Sequence, residues 1–157
     1  FIISKKFNAV LGTEWLSGGD YDTQSTDNKS FSPFYGTNHK FNGYMDYFFV
    51  GNHFNSYGLN DYYLKTTTKF NPKSSLIVNL HAFTTNGKLA NEQSSYLGTE
   101  ADLVFVHKFS KMFVMNAGHS FMFAGTSMEA LKAVNTPKNT QSWSWIQFNF
   151  VPSFRLK

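Results

Sequence analysis

Across residues 144–154 the chain alternates. Ser144, Ile146, Phe148, Phe150, Pro152 and Phe154 fall on one side, and Trp145, Gln147, Asn149, Val151 and Ser153 on the other. Successive side chains of a strand point to opposite faces, so this pattern predicts a strand with one apolar and one mostly polar face. Such a strand hides its apolar face under a second sheet or in lipid. Its length is also what a tilted strand needs to cross a bilayer, about 9–11 residues. Trp143 and Trp145 near one end and Phe154 near the other fit aromatic girdles at two membrane interfaces. One strand does not choose between the two settings; repetition of the pattern does.

The pattern repeats five times. Residues 7–15 set Phe7, Ala9, Leu11, Thr13 and Trp15 against Asn8, Val10, Gly12 and Glu14. Residues 59–70 set Tyr62, Leu64, Thr66, Thr68 and Phe70 against Asp61, Tyr63, Lys65, Thr67 and Lys69. Residues 75–85 oppose Leu76, Val78, Leu80 and Ala82 to Ile77, Asn79, His81 and Phe83. Residues 96–109 oppose Leu97, Thr99, Ala101, Leu103, Phe105 and Phe109 to Gly98, Glu100, Asp102, Val104 and Lys108. Residues 112–123 oppose Phe113, Met115, Ala117, Phe121 and Phe123 to Val114, Asn116, Gly118 and Ser120, with His119 falling on the apolar side. Residues 1–3 read as the tail of a preceding strand.

The connections are unequal. Short polar turns at 4–6, 71–74 and 110–111 share one end, and long segments at 17–56, 86–95 and 125–140 share the other. Outer-membrane barrels have short periplasmic turns and long outer loops. Phe7, Phe70, Phe109, Phe113 and Phe154 gather at the short-turn end of the apolar face, an alignment a soluble sandwich does not require. Spacing within the long segments predicts short helices at 38–47 and, from a Ser127 cap, at 127–134. The fold expected is all-β: an antiparallel transmembrane β-barrel with about six strands present and long outer loops carrying short helices. Known barrels start at eight strands. Residues 1–157 are therefore read as the C-terminal part of a single, larger outer-membrane barrel domain.

Composition agrees. Aromatic residues make up 18% of the chain, with 18 Phe and 8 Tyr, yet mean hydropathy is −0.32. Membrane barrels combine aromatic girdles with a polar lumen in this way. No apolar run approaches a transmembrane helix. The net charge of +4 is scattered, and a single Arg stands among 14 basic residues, which argues against a nucleic-acid partner. The chain has no Cys, which removes disulfide frameworks and thiolate metal sites. The opening residues, FIISKK, carry no visible leader, and the chain is read as the later part of a longer polypeptide.

Several stretches resemble the alginate-export-type outer-membrane β-barrels of the Bacteroidetes. They are 12–18 (GTEWLSG), 34–48 (FYGTNHKFNGYMDYF), 96–100 (YLGTE) and 143–145 (WSW). The resemblance implies a porin-like channel in the bacterial outer membrane, in contact with its lipid and passing hydrophilic solutes, among them an anionic polysaccharide. No site residue is carried over from it.

Alternation itself nominates the lumen-facing residues: Lys65, Lys69, Lys108, Asp61, Glu100, Asp102, Asn79, His81, Gln147 and Asn149. The three lysines would form a basic track for an anionic saccharide; alternatively, mixed charges in a wide lumen pair locally. The aromatic half of segment 17–56 (Phe34, Tyr35, His39, Lys40, Tyr44, Asp46, with Phe41, Tyr47 and Phe48) is expected to fold into the lumen as a constriction. Glu100 and Asp102 lie on one strand rather than across a bond to be cleaved, so no catalytic role is expected. The five His lack metal-ligand spacing, and no metal or cofactor is expected. Two other readings stand beside the channel. One is a soluble β-sandwich or lipocalin-like carbohydrate-binding domain stacking sugars on Trp15, Trp143, Trp145 and the Tyr-rich segment 44–63. The other is a barrel anchoring an envelope complex.

Overall fold

The computed structural model describes residues 2–22, 27–49, 56–133, 136, 138 and 140–152. It is all-β, with one antiparallel sheet in simple sequence order. Strand β1 (Ile2–Ser4) is a stub, followed by β2 (Phe7–Leu16), β3 (Leu59–Lys69), β4 (Ser74–Thr84), β5 (Tyr96–Lys108), β6 (Phe113–Ala124) and β7 (Thr140–Phe150). One short helix, α1 (Thr126–Leu131), lies between β6 and β7. Among the described residues β1 and β7 do not pair, so the sheet is open.

One device makes all three short turns. Ser4, Asn71 and Ser110 each accept, on a side-chain oxygen, the backbone N–H groups two and three residues on. These local bonds let the chain reverse and fix the register of each hairpin. The long connections meet at the opposite end. There Gly19 N–H donates to Ser56 O at 3.1 Å and Gly87 N–H to Tyr57 O at 2.7 Å. Gly18 and Gly58 touch backbone to backbone, with no room for a side chain at Gly18.

Register sorts the side chains into two faces. One carries rows such as Leu11, Leu64, Leu80, Ala101 and Phe121 and, nearer the short turns, the pair Ala117 and Ile146. The strand residues Glu14, Asp61, Lys65, Lys69, Glu100, Asp102 and Lys108 all lie on the other. The substantial contacts between elements are those of neighbouring strands and of α1 with β5, so among the described residues no second sheet covers the apolar face. Leu11 is 76% exposed and Phe150 66%. His119, the one discordant residue of β6, sits on that face and shares a 2.6 Å hydrogen bond with Ser144 Oγ, its cross-strand neighbour.

The apolar core lies on the charged face at the long-loop end. Leu16, Phe48, Leu59, Phe83, Leu89, Leu97, Met122 and Met128 form it. Leu97 corrects the alternation, which put it outside with Leu103. The register slips between Phe83 and Thr84, and Gly98, at φ +154°, takes up the bulge. The bulge adds one residue to β5 and turns Leu97 inward.

Three further expectations are corrected. Residues 38–47 form no helix: His39, Asn42, Gly43 and Asp46 all have φ near +54° to +86°, which a right-handed helix cannot contain. The second helix is Thr126–Leu131, and its N-cap is Gly125 with no side-chain cap, not Ser127. Val134 lies outside the described residues. The last strand starts at Thr140 and stops at Phe150, earlier at both ends than the alternation suggested. Val151 N–H still donates to Met112 O at 2.9 Å, and Pro152 then has no N–H to continue the ladder. Ser153 and Phe154 lie outside the described residues, so the Phe154 part of the ring is not placed.

Candidate functional site

Rows across the charged face build the site from the loop end downward. Glu14, Asp61 and Phe83 share one row, and Tyr63, His81, Glu100, Met122 and Gln141 the next. Below them come Lys65, Asn79, Asp102, Ser120 and Trp143, then Thr67, Ile77, Val104, Gly118 and Trp145. Lys69, Val106, Asn116 and Gln147 follow, and Lys108, Val114 and Asn149 lie nearest the short turns.

The upper rows are buried although polar. Asp61, His81, Glu100, Asp102 and Ser120 are each at most 2% exposed, because the segment 39–48 lies over them as a strap. Its left-handed residues are of types that tolerate positive φ, His, Asn, Gly and Asp. His39 closes it locally: its N–H donates to Asp46 Oδ1 at 2.8 Å, and Nδ1 lies 2.7 Å from Tyr44 O and 3.0 Å from Asp46 Oδ2. Three polar contacts then fix the strap to the wall. Asn42 Nδ2 donates to Glu14 Oε2 at 2.7 Å and Asp61 Oδ2 at 3.2 Å, and Met45 N–H donates to Glu100 Oε1 at 2.8 Å. Buried hydrogen bonds of this kind contribute about 0.5–1.5 kcal/mol each. Phe48 packs on Phe83 with ring centroids 4.6 Å apart, completing the seat. Gly43 is pressed so closely against the Glu100 carboxyl that a Cβ would lie 2.5 Å from it.

Beneath the strap, Asp61 pairs with His81 Nδ1 at 2.9 Å, and Asp102 accepts from Ser120 Oγ at 2.6 Å. Glu100 Oε2 and Asp102 Oδ2 are buried with no other donor among the described residues, and the two carboxyls lie within hydrogen-bond reach of each other. Burial first, and the Asp102 carboxylate second, hold the Tyr44 phenol above its ordinary range; a hydrogen bond with Asn79 pulls it the other way. Among the described residues no three His, Cys, Asp or Glu side chains form a group able to hold a metal ion.

Lower on the same face, aromatic rings take over. Trp143 stacks on His39 at 4.7 Å, Trp145 meets Tyr44 edge-on at 6.2 Å, and the two indoles are 6.2 Å apart. Trp145 lies flat over Gly118, where a Cβ would come within 2.3 Å of the ring. Its buried Nε1 has no acceptor among the described residues, a cost of about 1–3 kcal/mol that the flat placement accepts. Both tryptophans therefore sit on the charged face against the strap, not in an outward girdle as their position near a strand end suggested. The rings border a cavity of about 530 Å³ whose floor is Ile77, Val104 and Val106.

All ten residues nominated by alternation share this face, but they do not act as one group. Asp61, His81, Asn79, Glu100 and Asp102 are gathered under the strap, whereas Lys69 and Lys108 are exposed near the short turns and Gln147 and Asn149 line β7. Lys65 lies with its Nζ 4.6 Å from the Tyr63 ring, and among the described residues none of the three lysines is in a salt bridge. Of the constriction candidates, His39, Tyr44 and Asp46 belong to the strap, with Tyr47 and Phe48. Phe34 and Tyr35 do not fold in: they are 99% and 93% exposed, because the strap's inward side is already filled by 42–48. Lys40 lies over Phe41 at 5.3 Å, on the exposed side. Asn42, Gly43, Met45 and Ser120 were not singled out as site residues. The Asn-Gly pair was the available signal, as a favoured left-handed dipeptide. Comparison with protein-family models, with curated proteins and with solved structures returned no match.

Proposed function

We propose that this sheet is part of the wall of a transmembrane β-barrel in the bacterial outer membrane, and that the barrel is a porin-like channel for hydrophilic solutes. The observation that carries the reading is the inversion of the two faces. The uncovered face has no Asp, Glu, Lys or Arg in any strand from β2 to β7, and it is the charged face that is covered and packed, over its long-loop half. Water favours the reverse arrangement; lipid outside and a polar interior favour this one. Open edges are not tolerated in hydrocarbon, so the wall closes through further strands paired to β1 and β7. The strap then lies inside the lumen and narrows it.

A soluble sugar-binding sandwich is disfavoured by the apolar face, on which no sheet packs among the described residues. The resemblance to alginate-export-type barrels and the three lysines of the charged face support an anionic saccharide among the solutes. Single-channel recording of the whole polypeptide in planar bilayers tests the function. Steady conductance that rises when residues 39–48 are replaced by a Gly-Ser linker supports a strapped channel. A membrane-inserted protein with no conductance in either form would instead be an envelope anchor.

A further inference from the structure

The cavity below the strap has a chemistry of its own. Among its lining residues, His39 is the only one that can carry charge; the lysines and carboxylates lie outside the lining. Two indoles, a phenol and an imidazole face an aliphatic floor, and the amides of Asn116 and Gln147 stand on the side toward the short turns. At about 530 Å³ it is of the size that takes a small organic ligand.

We infer that this cavity is a binding subsite for a neutral pyranoside, through which the channel grips one or two rings of a saccharide as it passes. A pyranose presents axial C–H bonds on its faces and hydroxyls around its edge. The C–H faces match the negative faces of indole rings. The edge hydroxyls match amides, which both donate and accept. Trp145 is held for such contact: Gly118 lets its ring lie flat on the wall, and Tyr44 braces its edge. Trp143 is held likewise by the stack on His39, whose own Nδ1 is engaged by the strap. The strap thus serves as the roof of the site as well as a constriction.

The same lining disfavours a uronate. A carboxylate entering it loses water and meets aromatic faces with no lysine in the lining. Asp102 lies one row above Val104 and Lys108 one row below Val106, so the charges flanking the lining on β5 are of opposite sign and offer a carboxylate no net attraction. The inference deepens the channel reading by naming the solute this site selects, and it rests on that reading.

Titration calorimetry on the whole polypeptide in detergent tests it, with maltotriose, cellotriose and tri-mannuronate as probes. At least one neutral trisaccharide is expected to bind saturably, and at least tenfold more tightly than tri-mannuronate. Trp145→Ala and Trp143→Ala should each weaken that binding tenfold or more, and Asn116→Leu, which leaves the rings in place, should weaken it severalfold. Trp15→Ala, on the opposite face, should not alter it. Saturable binding of neither neutral sugar, equal or tighter binding of tri-mannuronate, or unchanged affinity in a folded Trp145→Ala protein would overturn the inference. Current recordings separate it from the channel reading. A channel that conducts but binds neither neutral sugar loses the subsite and keeps the pore. Sugar binding by a protein that never conducts keeps the subsite and loses the pore.

Discussion

The two faces of the sheet are made by the same strands and obey opposite rules. On one, Leu11, Leu64, Leu80, Leu103, Phe105 and Ile146 stand exposed with no charge among them. On the other, Asp61, His81, Glu100 and Asp102 are buried and held by a strap that aims Asn42 and a backbone N–H at the carboxyls of Asp61 and Glu100. Burial on the second face is achieved by hydrogen bonds and by the packing of the strap, and the first face is left for the surroundings to satisfy. The lesson is that the medium belongs to the fold: under the membrane reading proposed above, a lipid exterior makes both faces favourable at once.

The comparison can be broken from either side. The largest effect is expected at the buried pair. His81→Leu leaves the Asp61 carboxylate with Asn42 as its remaining side-chain partner among the described residues, and breaking a buried pair costs about 3–5 kcal/mol. Urea unfolding in lipid vesicles measures it. A loss below 1 kcal/mol would mean that water reaches Asp61 and that this face is not packed as described.

Leu103→Arg probes the opposite face near the middle of β5. At a bilayer midplane it should cost about 2–4 kcal/mol, whereas at an ordinary water-exposed position it should change stability by no more than about 0.5 kcal/mol. Gly43→Ala is next. It places a Cβ against Glu100 at a φ of +86°, and the left-handed conformation alone costs a non-glycine residue about 1–2 kcal/mol. The strap should loosen and single-channel conductance rise; unchanged conductance would put the strap outside the ion path. The smallest effect belongs to Lys65, Lys69 and Lys108. Changing all three to Gln should move the reversal potential in a salt gradient slightly toward cations, because exposed charges are screened. No movement would remove the charge-based argument for an anionic solute.

Much of this was legible in the residues because strands write their faces with period two. The six long strands, the three short turns and the side on which each charge lies follow from alternation and turn chemistry alone. What alternation does not encode is where it breaks. Gly98 inserts a bulge, and Leu97 moves from the outer face to the core. The strap was harder still. The spacing of Phe41, Tyr44, Met45 and Phe48 fits a helix, but four left-handed residues turn the chain at each step and aim Asn42 and the Met45 N–H at carboxylates. Those contacts join residues far apart in sequence, so no local pattern reports them. Trp143 and Trp145 show the same limit: aromatic residues near a strand end suit a girdle or a lumen equally until register and loop position are known.

The claim beneath all of this is that the uncovered apolar face meets lipid. Spin labels placed one at a time at Leu64, Leu80, Leu103 and Phe121, and at Asn116 and Gln147 on the opposite face, test it in lipid vesicles. Power saturation then compares collisions with oxygen, which partitions into hydrocarbon, and with a water-soluble nickel chelate. The first four sites should show high oxygen and low nickel accessibility, and the last two the reverse. Nickel accessibility at Leu80 and Leu103 equal to that at Gln147 would contradict the membrane reading.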